Sequence, residues 1–294
     1  MATELRHSRR RLPPEARFLL MALPGVAFIT AFLLVPILSI VVFSFWRTES
    51  YRLIPAWNLK NYTTLFTTST YMTFLLRSVL TAIAVSLAAL LYSWPIAYVM
   101  AKHGGRYRLL LSLAVAAPFF TGVILRISGI QGIMGPVGLI NMALMNAGIA
   151  PIKALMDTPT AAAIGIAYLF IPFVVTAIYL SLLNFDFELL EVAKINGARS
   201  WRAFIEVTLP LISPAMLGAF VVSFILAFNN LEISFYTLGA IPTLPTIAWG
   251  SLRFGLGGEL YALAALVNAT VLLAFLVMFL LMRWRIVSFG HRET

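Results

Sequence analysis

A carboxylate flanked by amides inside an apolar run is the first arrangement in this chain able to do chemistry: Glu232 follows Asn229 and Asn230 in FNNLEISFY. Polar groups at membrane depth are costly unless they pair or face water, so their presence there points to a use. On a helix Asn229 and Glu232 stand i, i+3 and share a face. With Asn230 they can replace part of a cation's hydration shell, and Tyr236 adds an aromatic face for an amine. Arg126, in ILRISGI, can hold an anionic group or send its guanidinium out to lipid headgroups on its aliphatic stem. The structural alternative for Glu232 is an ion pair with Arg253 or Arg126.

Other chemistries are missing from the sequence. There is no cysteine, which excludes disulfides, thiolate metal sites and a Cys nucleophile. His7, His103 and His291 have no partners at metal-ligand spacing, so no metal site is expected. Nor is there a Ser-His-Asp set or a carboxylate pair suited to catalysis. The Gly-rich Lys-Ser/Thr loop that cradles nucleotide phosphates is also missing. The expectation is a chain without a cofactor of its own and without enzymatic activity, any ATP and Mg being held by a partner.

The elements that position these residues are set by oil. Hydrophobic residues make up 61% of the 294 and charged residues 11%, against roughly 25% charged in a soluble domain. Apolar runs near 18–46, 71–101, 108–130, 160–184, 212–237 and 259–283 can each cross a hydrocarbon core of about 30 Å. This predicts an all-α integral membrane protein with six transmembrane helices over 18–283, a basic segment at 1–17 and a short tail at 284–294. The first run is too long for a signal-peptide core and reads as a retained anchor. Pro95 and Pro172 are candidates to kink their helices.

The net charge of +10 flanks the apolar runs, which suits lipid headgroups and not nucleic acid. With both termini in the cytoplasm, 14 of the 21 Lys and Arg fall on that side, among them Arg9, Arg106, Lys194, Arg202 and Arg285. The positive-inside rule favours that orientation. It puts a tight cytoplasmic turn at His103-Gly104-Gly105. It also makes 131–158 a long external connection, expected to carry a short helix along the membrane surface.

The connection at 185–211 between the fourth and fifth spans is longer than the about 2–8 residues of a helical hairpin, and it is charged: EVAKINGARSWRAFIEVTLPL. Phe187 to Ile195 can form a short helix with Leu189, Leu190 and Ile195 as its apolar residues, ended by a left-handed turn at Gly197. A second helix from about Ser200 carries Trp201, Phe204 and Ile205 on one face. The result is an elbow with apolar knobs and a rim of Glu191, Lys194, Arg199 and Arg202.

This loop resembles the cytoplasmic signature of the permease subunits of ABC importers: Glu-Ala-Ala, three residues, Gly, nine residues, Ile, one residue, Leu-Pro. Here Glu191-Val192-Ala193 is followed by Gly197, then Val207, Leu209 and Pro210 at the same spacing, with Val192 and Val207 departing from the pattern. WNLKNYTTLF, SWPIAYVMAK, PFFTGVILRISGIQGIMGPVGLIN and SFYTLGAIPTLPTIAWGSLRFGLGGELYALAAL extend the similarity over roughly 55–283, to the spermidine/putrescine-type group in particular. The chain departs from that group at Phe228-Asn229-Asn230-Leu231-Glu232, where paired acidic residues are frequent.

The resemblance implies that Glu191, Ala193, Gly197, Trp201, Leu209 and Pro210 couple to an ATPase. It also implies two ATPase subunits, a second and different permease chain and a periplasmic solute-binding protein, all at a bacterial inner membrane. The cargo it implies is a small, amine-containing solute. The rivals are an ion-coupled secondary transporter, which a single candidate acid and no visible inverted repeat disfavour, and an importer for an opine, a phosphonate or another solute.

Overall fold

The computed structural model describes residues 14–49, 52–152, 155–237, 243–254 and 257–290. Helix α1 (Pro14–Ser44) leads through a small hairpin, β1 (Arg47–Glu49) and β2 (Arg52–Ile54), paired antiparallel with Thr48 opposite Leu53. Next come α2 (Lys60–Thr67), α3 (Ser69–His103), α4 (Arg108–Ala116), α5 (Val123–Met134), α6 (Leu139–Asn146) and α7 (Pro159–Leu183). The elbow is α8 (Glu188–Ile195) and α9 (Ser200–Ala203), and α10 (Leu209–Phe228), α11 (Glu232–Thr237), α12 (Leu244–Phe254) and α13 (Gly258–Gly290) complete the chain. Six stretches among the described residues are long and apolar enough to cross a membrane: Leu20–Ser44, Ser69–His103, Val123–Asn146, Pro159–Leu183, Ser200–Phe228 and Gly258–Arg283. The all-α, six-span reading therefore stands.

The centre is the bundle of α3, α7 and α10. Helix α3 buries small residues, Ser78, Ala82, Ser86, Ala89, Ser93 and Ala97, at spacings of three or four that keep them on one face. That stripe brings its backbone close to α7, as packing between membrane helices requires where no hydrophobic force from water acts. Ser93 Oγ donates across to the Ile171 carbonyl at 3.3 Å, beside Pro95 and Pro172. Two apolar clusters stack along the bundle. One joins Ile130, Ile166, Phe228, Ile233 and Leu244, and the other, nearer the elbow, joins Met100, Ile178, Leu182 and Ile212. Helix α1 packs on α13 at the periphery, and its apolar stretch exposes Phe18, Phe28 and Phe32.

Two spans differ from the expected continuous helices. The run at 108–130 breaks after α4 into a single 3₁₀ turn, Ala117–Phe120, and extended residues Thr121 and Gly122 before α5 begins. Pro118 cannot donate to an α-helical ladder, which accounts for the break. The third apolar stretch able to cross a membrane is accordingly Val123–Asn146, α5 with α6, and not the expected 108–130. The run at 212–237 ends as a helix at Phe228, and Glu232 opens a separate short helix. The turn at His103-Gly104-Gly105 falls as expected, with Gly105 at φ 44° and Arg108 Nη2 donating to the Ala101 carbonyl at 2.7 Å.

At the end of the bundle away from the elbow, side chains tie distant segments together. Asn61 Nδ2 donates to the carbonyls of Ser44 and Trp46 at 2.8 and 2.9 Å. The Gly258 N–H donates to Thr48 Oγ1 at 2.5 Å, and the Leu244 N–H to Ser78 Oγ at 3.0 Å. Asn141, 1% exposed, gives Nδ2 to the carbonyls of Gly135, Pro136 and Ile152 and accepts the Ile152 N–H at 2.8 Å. One buried amide thus closes the whole 135–152 loop around the short helix α6.

Candidate functional site

The elbow is built by local rules. Helix α8 ends in a Schellman motif: the Gly197 N–H donates to the Lys194 carbonyl at 2.9 Å and the Ala198 N–H to the Ala193 carbonyl at 3.0 Å. Such a motif needs a left-handed residue between them, and Gly197 supplies it at φ 87°. Ala193 therefore matters through its carbonyl. The chain re-enters helix at Ser200 and continues through α9 and one wide turn, Phe204–Thr208, into α10.

The faces sort differently from the expectation at two positions. Phe204 turns inward, its ring 4.8 Å from that of Trp94 on α3, and Leu190 is buried. Leu189, Val192, Ile195, Trp201 and Ile205 stay exposed, Ile195 by 84% and Trp201 by 63%. Around this apolar surface Glu191 bridges Lys102 at 3.6 Å and Lys194 at 3.7 Å, and Arg202 bridges Glu206 at 2.8 Å. Lys102 Nζ also lies 5.8 Å from the Phe187 ring centre. Glu191 thereby ties the elbow to the end of α3. Lys102, which the sequence alone did not single out, is the other half of that tie. Leu209 and Pro210 lie where the elbow becomes a span.

The second set of residues collects where α11 packs on α5 and α7. Asn229 and Glu232 do not share a helix face, because the helix ends between them. The cause is the amides themselves. Asn229 Nδ2 folds back onto the Ile225 carbonyl at 3.0 Å, and buried Asn230 caps the next helix by accepting the Ile233 N–H at 3.0 Å. Asn230 is thus a structural cap, while Glu232 and Tyr236 are exposed on α11. Gln131 Nε2 of α5 reaches the Tyr236 carbonyl at 3.5 Å. Glu232 has no ion pair among the described residues, and the side chain of Arg253 lies outside them. Arg126 is half-buried on α5, and its Nε and Nη1 are shielded from solvent with no hydrogen-bond partner. A guanidinium cannot neutralise itself by losing a proton, so Arg126 keeps its charge there.

Among the described residues no group of three or more His, Cys, Asp or Glu could hold a metal ion. Asn141 and Ser78 were not anticipated. An Asn within the uncharged run from Ile127 to Ile152, shared there only with Asn146, was the available signal for the first, and none marked the second.

The fold and the elbow define the class first. A chain from the crystal structure of a bacterial ABC transporter involved in the import of the acidic polysaccharide alginate superposes with a TM-score of 0.63 at 18% identity, over 92% of this chain and 95% of that one. A chain of the methionine ABC transporter MetNI in an inward-facing conformation superposes with a TM-score of 0.50 over 74% of this chain and 99% of that one. No protein-family model matches the chain.

Sequence comparison narrows the class. The spermidine/putrescine transport system permease protein PotB of Escherichia coli K12 is 32% identical over 196 residues, 66% of this chain and 70% of its own length. PotB of Haemophilus influenzae is 32% identical over 191 residues, 64% of this chain and 66% of its own length. PotC of E. coli K12 is 33% identical over 97 residues, 33% of this chain and 37% of its own length. The chain belongs to the spermidine/putrescine-type family of ABC transporter permeases, and it is a multi-pass membrane subunit of that kind.

Proposed function

We propose that this chain carries a small, amine-containing solute, a polyamine or a close relative, from the periplasm across a bacterial inner membrane as one half of an ATP-driven pathway. A second, different permease completes the pathway, two ATPase subunits grip the elbows, and a solute-binding protein delivers the cargo. Both termini lie in the cytoplasm, and ATP and Mg stay on the ATPase. The observation that carries this reading is the elbow: an exposed apolar surface of Leu189, Val192, Ile195, Trp201 and Ile205 with a charged rim, placed at the end of the central bundle. Apolar knobs of that size on the water side of a membrane protein suit a groove in a soluble partner. Glu191, Ala193, Gly197, Trp201, Leu209 and Pro210 act there as the coupling set, and Glu232, Tyr236 and Arg126, with the break at Asn229 and Asn230, mark the solute path.

The cycle is a shift between two packings of the same bundle, biased by nucleotide on one side and the loaded binding protein on the other. In this reading Glu232 offers a carboxylate to an ammonium group where α11 meets α5 and α7. One observation favours a second cargo class. The unpartnered nitrogens of Arg126 suit a solute that also carries a carboxylate or phosphonate, such as an opine.

The test is uptake into proteoliposomes holding both permeases and the ATPase, with the binding protein outside and ATP inside. Labelled putrescine and spermidine should accumulate only with ATP. Accumulation driven by an ion gradient without ATP would overturn the reading. Accumulation of an opine or a phosphonate in place of both amines would transfer it to the second class.

A further inference from the structure

The elbow joins its span through a helix that is one residue too wide. From Ser200 to Phe228 the backbone is helical without interruption, yet over Phe204–Thr208 it is a π turn, and the Leu209 N–H donates to the Phe204 carbonyl five residues back. The next residue supplies the cause. Pro210 has no N–H, and in a regular α-helix its ring would run into the carbonyl of Glu206, four residues earlier. Inserting a residue into the turn moves that carbonyl aside. Such π turns are uncommon and are frequently found at functional sites.

A separate observation lies directly beneath. Between the elbow and α3 is a cavity of about 260 Å³, lined by Trp94, Tyr98, Leu190, Ala203, Phe204 and Thr208. It is a cleft open on one side, and it has the volume of about eight or nine waters at about 30 Å³ each. Its floor belongs to α3 and its roof to the elbow and the wide turn. It therefore lies where a rocking elbow would travel.

We propose that the wide turn is the hinge through which the elbow moves against α10, that the cavity is the space it moves into, and that Pro210 is the positioning residue that keeps the turn open. Closing the turn to α-helical bonding re-aims Trp201 and Ile205 relative to the span and lets Phe204 settle further onto Trp94. The Leu-Pro ending of the elbow is then a mechanical part and not a mere helix start. This inference rests on the elbow being the ATPase grip.

The test uses the full complex of both permeases, the ATPase and the binding protein in proteoliposomes. Deleting Val207 in a chain that also carries Pro210→Ala removes both the extra residue and the ring that needs it, and leaves an unbroken α-helical path. The ATPase should still copurify, while ATP-driven putrescine uptake falls by about tenfold or more. Pro210→Ala, which keeps the chain length and lets the turn close, should lower uptake less. Because the chain has no cysteine, spin labels at Glu188→Cys, exposed on α8 and outside the gripped face, and at Leu91→Cys on α3 report the movement. Their separation should change on ATP binding in the parent and stay fixed in the Val207 deletion. Parental uptake together with a parental distance change in the deletion would overturn the hinge. A Trp201→Glu chain separates the two ideas. If a cysteine at Ile195 still cross-links to the ATPase in that chain, the grip itself is wrong, whereas if the cross-link is lost while the deletion transports normally, only the hinge is.

Discussion

The two ends of this bundle are held together by different kinds of information. At the elbow the backbone path is set locally: the Gly197 turn closes bonds between residues three and five positions apart, and Pro210 shapes the turn just before it. At the opposite end the decisive bonds are long-range, with Thr48 meeting Gly258, Ser78 meeting Leu244 and Asn61 meeting the end of α1. The local end presents exposed apolar knobs to a partner. The long-range end is a tied frame around the break at Asn229 and Asn230, where Glu232 and Arg126 are both without an ion-pair partner among the described residues. Failure at the two ends should therefore look different: lost coupling at one, lost stability or selectivity at the other.

The largest effect should come from Gly197→Val. A β-branched residue at φ 87° bears at least about 1–2 kcal/mol of strain and reroutes the chain between α8 and α9. ATP-driven uptake should vanish while the bundle's thermal stability in detergent stays near that of the parent. At the frame end the reverse is expected. Asn141→Leu strands a buried N–H and three carbonyls, each worth about 1–3 kcal/mol when left unpaired in the interior, and the thermal midpoint should fall sharply. Gly258→Ala belongs with it, because a Cβ there meets Asn61 Nδ2 and the Trp46 carbonyl. Such overpacking costs about 1–3 kcal/mol, read in the same melting experiment.

A smaller and more selective effect is expected at Glu232→Gln: amine uptake lower by about tenfold, or about 1.4 kcal/mol, with basal ATP hydrolysis changed much less. Equal losses in both would return Glu232 to a structural role. The smallest effect should be Lys102→Met. Glu191 keeps Lys194 beside it, and an exposed pair contributes at most about 1 kcal/mol, so uptake should drop by less than a few-fold.

What was legible in the sequence follows the same division. Six apolar runs, the elbow between the fourth and fifth, and the left-handed glycine that ends its first helix all follow from composition and short spacing. The third and fifth spans were misjudged because hydropathy counts Pro118, Asn229 and Asn230 as small interruptions, whereas each decides where backbone bonds can go. Phe204 was placed on the outer face because helical spacing takes no account of Trp94, which is far away in sequence. The frame was invisible for a deeper reason: a single Ser, Thr or Asn in an apolar run carries no mark of the partner it will meet after folding. The widened turn was within reach, since Leu-Pro inside a continuous helix requires the chain to accommodate the ring.

The central claim is that the exposed face of the elbow is seated in a motor subunit. Site-directed cross-linking addresses it most directly, since a single cysteine at Ile195 or Trp201 would be unique in this chain. In the actively transporting complex both positions should form a covalent adduct with the ATPase, and a control cysteine at Phe28, exposed on α1, should not. Efficient uptake with no adduct from either elbow position would contradict the account.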